Sequence, residues 1–191
     1  MSSTRDQIIE KTCELLEAQG YHATGLNQIL AESGAPKGSL YYYFPAGKEE
    51  LTAEAINRTG RYVAERIKHG LTSIDDPIEA IQSFICTIAY HVETSGFRSG
   101  GPLMIVAMET AIFSERLNGA CREAYALLQR AFQEKLQSGG YAEEQAVQLA
   151  TFIVSAVEGG IILSRTRHSG DPLRTVANML GRLLPSFPKA E

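Results

Sequence analysis

Apolar side chains recur every three or four positions along most of this chain, and short polar breaks separate the runs. That spacing places the apolar residues on one face of an α-helix, whereas we find no useful length of the alternation typical of a strand. The pattern therefore predicts an all-α protein of about nine helices. The predicted helices cover about 4–19, two short segments within 24–44, 48–68, 78–92, 103–112, 115–137, 143–167 and a last segment that starts at 171–172.

The breaks contain residues that begin or end helices. Ser3, Asp76 and Asp171 stand where a side-chain oxygen would cap the first turn, and the two aspartates are each followed by proline. Gly20 follows the first run and is expected to end it. The segment 94–102 is rich in Gly and Ser and predicts a flexible break.

Residues 24–51 predict two short helices joined by a tight turn. Gly34 can adopt the left-handed conformation that ends a helix. Leu40 and Phe44 lie four positions apart and share a face that can pack inward. The three consecutive tyrosines 41–43 cannot all face a core, so some hydroxyls must reach water, phosphate or a base. This is the helix-turn-helix pattern, whose second helix enters the major groove of DNA.

The residues outside that core are of types that bind DNA. Lysine pairs with phosphate, glycine permits a close backbone approach, and serine bonds a phosphate or a base edge. The alternative is an ordinary helix pair with an exposed aromatic patch. The predicted DNA-contacting residues are Thr24, Asn27, Lys37, Gly38, Ser39, Tyr41, Tyr42, Tyr43 and Lys48.

The same stretch resembles the signature of the TetR family of transcriptional repressors. The matching positions are Thr24, Ile29, Gly34, Gly38, Leu40, Tyr41, Phe44, Lys48, Glu49 and Leu51. The sequence departs from the family pattern at Pro36, which cannot cap a helix with its side chain, at Ser39 in place of Thr and at Tyr43 in place of His. Residues 45–47 lengthen the link to the next helix by one residue. These departures bear on the operator sequence more than on DNA binding.

Three segments are similar to the LmrA/YxaF-type branch of the family: 35–51, 100–111 and 156–165. The resemblance implies a helix-turn-helix domain at 1–50, a connecting helix at about 48–68, and a ligand-binding and dimerisation domain at 51–191. It also implies a repressor that a small hydrophobic or aromatic ligand releases from its operator.

A recognition helix alone reads few base pairs, so a twofold dimer on a palindromic DNA operator is expected, with half-sites about 34 Å or a multiple of it apart. The last two predicted helices are too apolar for a surface open to water and would form the dimer interface in this family. The alternative is that they close the core of a single chain. The predicted interface residues are Ile153, Val157, Gly160, Ile161, Leu173, Val176, Leu180 and Leu184.

The helices between these two regions carry aromatic and methionine side chains that could line a pocket, together with a few polar groups that could anchor a ligand. Packing in an ordinary core is the alternative for each of them. The predicted ligand-binding residues are Phe84, Tyr90, His91, Met104, Met108, Glu109, Phe113, Tyr125, Phe132 and Phe152.

The net charge of −4 does not by itself indicate a nucleic-acid binder, and the first 70 residues hold eight Lys and Arg against nine Asp and Glu. This balance leaves open a helical partner-binding module without DNA binding.

No apolar signal segment is present at the N-terminus. The apolar stretch 146–163 is interrupted by Glu158 and looks too short and too polar to span a bilayer. We expect a soluble, cytoplasmic protein without membrane partners.

The three cysteines, 13, 86 and 121, lack the spacing of a metal or redox motif and fall at apolar helical positions. Buried, reduced thiols are expected, and a thiol-based redox-sensing regulator is the alternative.

No sequence motif of a hydrolase, metalloprotease, nucleotide-binding or di-iron enzyme is found. Glu65 and His69 share a helical face, but a single pair does not make a metal site. We therefore expect no enzyme activity, no cofactor and no metal.

Overall fold

The computed structural model describes residues 3–98, 101 and 103–189. Within them the chain forms nine α-helices, one short 3-10 turn and no strand, which confirms the all-α prediction. The helices are α1 Thr4–Ala23, α2 Leu26–Ser33, α3 Lys37–Tyr43, α4 Lys48–Thr72, α5 Pro77–Thr94, α6 Met104–Thr110, α7 Glu115–Ser138, α8 Glu143–Arg167 and α9 Asp171–Leu183, and the 3-10 turn is Leu184–Ser186.

Two of the three predicted helix caps are present. The Ser3 hydroxyl accepts a hydrogen bond from the backbone N–H of Asp6 at 3.1 Å. The Asp76 carboxylate accepts from the N–H groups of Ile78 and Glu79, each at 2.9 Å. Both helices therefore begin where side-chain oxygens satisfy free N–H groups.

The third predicted cap is wrong. Asp171 is the first residue of α9 and Gly170 occupies the N-cap position. The N–H of Gly170 donates to the carboxylate of Glu93 on α5, and the Asp171 carboxylate accepts from Arg174 one turn later. The beginning of α9 is thus stabilised by a side chain from another helix, which no local pattern could indicate.

Helix α1 contains a break at Gly20, which has φ 77° and ψ −176°. A glycine adopts such a positive φ without a clash, whereas other residues are strained there. A single helical turn follows the break and ends at Ala23. The prediction that the first helix would stop at Gly20 is confirmed in its main part.

The chain divides into two compact units, and the division differs from the predicted boundary at residue 50. One unit contains Met1–Arg61 and Gly101–Tyr125, and the other contains Tyr62–Gly100 and Ala126–Glu191. Helix α6 and the first half of α7 therefore belong with the N-terminal helices, and α6 packs against α1. Ser99, Gly100 and Pro102, part of the predicted flexible break, lie outside the described residues.

In the first unit, α1, α2 and α3 enclose a small core. Ile8, Ile29 and Leu40 are fully buried there. Helices α4 and α7 lie very close together at Gly60, where an added Cβ would be 2.6 Å from the Cβ of Ala124. This core holds the helix-turn-helix segment in place.

In the second unit, α9 packs against α5 and α8. By length and composition alone, α8 would be apolar enough to cross a membrane, contrary to our expectation for residues 146–163. However, 44% of its apolar window is buried inside the chain, on the side that meets these neighbours. Packing inside the chain thus accounts for part of the apolar composition of α8.

Candidate nucleic-acid interface

The segment from α2 to α3 has the geometry of a helix-turn-helix. Gly34 ends α2 in the left-handed conformation, with φ 66° and ψ 10°. Pro36 precedes α3 and provides no side-chain cap, in agreement with its departure from the family pattern. Leu40 and Phe44 turn inward and are fully buried, as predicted. The opposite face of α3 is therefore presented to solvent.

That face carries the predicted DNA-contacting side chains. Tyr42 is 80% exposed and Tyr41 is 59% exposed. Lys37 and Gly38 at the start of α3 are also exposed. Tyr43 is half-buried and lies edge-on to Tyr42, with ring centroids 5.0 Å apart. Ser39 is half-buried on α3, and Asn27 is exposed on α2. The surface thus combines phenol hydroxyls, an ammonium group and accessible backbone.

Thr24 and Lys48 occupy different surroundings from the rest of the predicted set. Thr24 is 1% exposed, and its hydroxyl donates to the carbonyl of Gly20 at 2.6 Å, so its side chain shapes the turn before α2. The Lys48 ammonium lies 4.1 Å from the centre of the Tyr21 ring. Burial lowers the pKa of Lys48, and the negative charge of Glu109 opposes that shift. Lys48 is thus held by a cation–π contact beside the interface.

Two acidic residues near the N-terminus of this unit form ion pairs within it. Asp6 accepts from Arg58 at 3.1 Å, and Glu54 accepts from Arg5 at 2.9 Å. The Ser3 hydroxyl and Arg58 together lower the pKa of Asp6. The overall acidity predicted from composition therefore does not describe the exposed face of α3, where Lys37 is the charged side chain.

Comparison with known proteins agrees with this geometry. The family description "bacterial regulatory proteins, tetR family" matches residues 8–55, which include the helix-turn-helix. The C-terminal domain of LmrA/YxaF-like transcriptional regulators matches residues 77–179. The chain belongs to the TetR family. It is a helix-turn-helix transcriptional regulator, as the sequence resemblance implied, and its similarity to the LmrA/YxaF-like branch is confirmed.

Relatives and solved structures extend over nearly the whole chain. The HTH-type transcriptional regulator YxaF of Bacillus subtilis is 45% identical over 177 residues, covering 93% of each chain. The regulator LmrA of the same organism is 39% identical, covering 95% of this chain and 96% of LmrA. The crystal structure of E. coli NemR in its reduced form has the same fold, with a TM-score of 0.84 at 20% identity over 95% of this chain and 97% of that one.

The predicted ligand-binding residues are divided between the two units. Glu109 and Phe113 contact Tyr21 in the first unit. Phe84 and Phe132 contact each other in the second, with ring centroids 6.1 Å apart, and Phe132 is buried. The remaining members are exposed or half-buried: Met104, Met108 and Tyr125 in the first unit, and Tyr90, His91 and Phe152 in the second.

An open groove of about 650 Å³ lies between the start of α8 and the residues after α9. Its apolar lining includes Leu149, Phe152, Leu183 and Phe187, and Gln145 and Lys189 contribute polar groups. Phe152 is the member of the predicted ligand-binding set that lines it. Sequence reasoning did not indicate this groove, because the residues after α9 carry no helical pattern.

Seven of the eight predicted dimer-interface residues are buried inside the chain, and Val176 is half-buried. Ile153, Val157, Ile161, Leu173, Leu180 and Leu184 are buried. Gly160 is buried against Leu173 and Val176, so these residues form the contact between α8 and α9. Other apolar side chains of the two helices remain exposed: Phe152, Ile162 and Leu163 on α8, and Met179 and Leu183 on α9.

The cysteines occupy three different surroundings. Cys121 is buried, Cys13 is half-buried and Cys86 is exposed. Burial raises the pKa of both Cys13 and Cys121, which keeps them as thiols and lowers their reactivity. Among the described residues, no group of three or more His, Cys, Asp or Glu side chains is placed to hold a metal ion.

Proposed function

We propose that this regulator is a repressor that binds a palindromic DNA operator as a homodimer and is released by a small hydrophobic or aromatic effector. The exposed face of α3 is the observation that carries the DNA-binding part, because Tyr41, Tyr42 and Lys37 project from a helix whose other face is buried. Relatives that are bacterial transcriptional regulators support action in the cytoplasm, where the chromosome lies.

The homodimer part rests on the outer face of α8. A stripe along one side of α8 is formed by residues spaced three or four positions apart, namely Phe152, Ser155, Gly159 and Ile162. Leu163, next to Ile162, extends this stripe. An added Cβ at Gly159 would meet no atom of the chain within 4 Å. Small residues between apolar ones allow another helix to approach closely, and buried apolar area favours association. A second copy would cover this stripe.

Release by a small effector is supported by the resemblance to the TetR family and by the apolar side chains of the second unit. Methionine and aromatic residues adapt to varied apolar ligands. The open groove beside the start of α8, which Leu149, Leu183 and Phe187 help to line, provides such a surface in the second unit. Occupancy would favour a conformation of the dimer that does not fit the operator.

The test is selection of DNA from fragments of the source genome with the purified protein, at low and at physiological salt. We expect an enriched palindromic site whose binding is lost or weakened about tenfold or more by Tyr42→Ala, since base contacts contribute roughly 1–3 kcal/mol each. Tyr62→Ala is the matched control, because Tyr62 is also exposed, at 62%, but lies on α4. Its binding should equal that of the wild type.

Failure to enrich any site at either salt concentration would reject sequence-specific DNA binding. Equal losses for Tyr42→Ala and Tyr62→Ala would reject the role of the α3 face. Once an operator site is known, release is tested by adding apolar compounds to the protein–DNA complex. Operator binding that no compound weakens would count against the proposed effector.

A further inference from the structure

Glu109 on α6 accepts hydrogen bonds from the backbone of α1. The break at Gly20 interrupts the hydrogen-bond ladder of α1, so the N–H groups that follow need other acceptors. One oxygen of Glu109, Oε2, accepts from the N–H of Tyr21 at 2.5 Å and from the N–H of His22 at 3.1 Å. A side chain from another helix thus caps the last turn of α1.

The absence of a side chain at Gly20 makes room for the Glu109 carboxylate. A Cβ at this position would lie 2.7 Å from Oε1 and 2.8 Å from Oε2 of Glu109, and 2.8 Å from the Cγ2 of Ile105. A side chain at residue 20 would therefore displace the carboxylate and the neighbouring part of α6. The glycine provides both the positive φ that breaks the helix and the space that Glu109 occupies.

The capped turn leads directly into the helix-turn-helix. The Thr24 hydroxyl donates to the carbonyl of Gly20 at 2.6 Å, and the Thr24 N–H donates to the carbonyl of Tyr21 at 3.3 Å. Helix α2 begins at Leu26, directly after this turn. The direction in which α2 and α3 leave α1 therefore depends on a turn of very few residues.

Side chains around the turn add to the contact from Glu109. The Phe113 ring lies 5.8 Å from that of Tyr21 and 5.3 Å from that of His22, measured between centroids. On α4, the Lys48 ammonium covers the Tyr21 ring at 4.1 Å and interacts with the charge of Glu109. Residues 21 and 22 are thus held by Glu109 on α6, by Phe113 in the segment between α6 and α7, and by Lys48 on α4.

We propose that Glu109 is a positioning residue for operator binding: its carboxylate fixes the turn at residues 20–24 and thereby the placement of α2 and α3. This inference rests on the proposed function and adds a residue that touches no DNA. It also replaces our expectation that Glu109 anchors a ligand, because Oε2 already accepts two backbone N–H groups.

The test compares Glu109→Ala and Glu109→Gln with Glu123→Ala, an exposed glutamate on α7 in the same unit. The alanine variant should bind the operator about tenfold or more weakly, because two charge-assisted hydrogen bonds are lost. The glutamine variant should fall between it and the wild type, since one carbonyl oxygen can accept both N–H groups but without the charge. Glu123→Ala should match the wild type.

Two readouts separate positioning from a general loss of folded protein. The active fraction, measured by stoichiometric titration with operator DNA, should stay unchanged while Kd rises. Without DNA, hydrogen exchange at the amides of Tyr21 and His22 should accelerate in Glu109→Ala and partly recover in Glu109→Gln.

Unchanged exchange at these amides in Glu109→Ala would overturn the cap. A Kd equal to that of the wild type, or a loss explained wholly by a smaller active fraction, would overturn the positioning role. A wild-type protein that selects no operator would instead reject the proposed function, and the exchange measurement would still decide whether Glu109 holds the turn.

Discussion

Glu93 serves three donors between α5 and α9. Its Oε1 accepts from the N–H of Gly170 at 2.9 Å and from Arg174 at 3.0 Å, and its Oε2 accepts from the second guanidinium nitrogen of Arg174 at 2.5 Å. Arg174 and the Gly170 N–H hold the pKa of Glu93 below its ordinary value. A single carboxylate thus caps one helix and joins it to another.

This pairing predicts a dependence of stability on pH. Because the pKa of Glu93 is lowered by folding, its contribution is fully present above its ordinary value of 4.5 and is lost as the pH falls through the lower folded value. Glu93→Gln should be less stable than the wild type at pH 7, and the difference should shrink as the pH falls below 4.5. Urea unfolding between pH 7 and pH 3 measures both effects.

Glu65→Gln is the control for this series, because Glu65 is an exposed glutamate on α4. Its free energy of unfolding should follow that of the wild type at each pH. A constant difference between Glu93→Gln and the wild type over the whole range would show that the charge of Glu93 does not contribute.

For individual residues, the sequence predicted which side chains are exposed better than it predicted which residues they contact. Leu40 and Phe44 are buried and Tyr42 is exposed as expected, because the spacing within a short helix decides which side chains share a face. Thr24 and Lys48 were assigned to DNA, yet their side chains contact Gly20 and Tyr21 in the isolated chain. Those partners lie on α1, and the pattern within residues 24–51 contains no information about α1.

At the scale of helices, the close approach of α4 and α7 in the first unit depends on two small residues. An added Cβ at Gly60 on α4 would lie 2.6 Å from the Cβ and 2.8 Å from the Cα of Ala124 on α7. The second of these atoms belongs to the backbone, so the contact cannot be relieved by a side-chain rotation. The two helices would have to separate.

Gly60→Ala should therefore destabilise the protein by roughly 1–3 kcal/mol, despite the better helix propensity of alanine. Gly119→Ala on α7 is the control, because its Cβ would meet only the far end of Arg122, at 3.8 Å. The control should be neutral or stabilising by up to about 1 kcal/mol. Chemical unfolding measures both changes, and equal effects would argue that the packing at Gly60 is loose.

Helix bounds were predictable because periodicity and local caps act within a few residues. Helix α8 was expected at 143–167 and is found there. The partner of a helix face was not predictable in the same way. Leu173 and Leu180 were assigned to a dimer interface, but they are buried in their own chain, since an apolar stripe shows that a face is covered without showing what covers it.

At the scale of the whole molecule, the exposed apolar stripe on α8 predicts the state of association. Phe152→Arg should convert the dimer to a monomer, because burying an unpaired guanidinium at a helix contact costs several kcal/mol. Sedimentation velocity at micromolar concentration measures the outcome. Ile112→Arg is the control, since Ile112 is 98% exposed in the other unit and should leave the dimer intact.

A dimer that persists in Phe152→Arg would exclude this stripe from the interface. Dissociation in both variants would indicate that added positive charge, rather than the α8 face, determines association.

The way the two units divide the sequence also limits how the protein can be cut into working pieces. Each unit is built from two separate stretches, and the divisions at Arg61 and Tyr125 fall inside α4 and α7. At both divisions the backbone is helical, so a protease has no extended linker to cleave there. A fragment ending at residue 61 would keep the helix-turn-helix but lose Glu109, so the turn at Gly20 would have no carboxylate to hold it. This regulator's DNA-reading helices are therefore poorly suited to transplantation as a single N-terminal module.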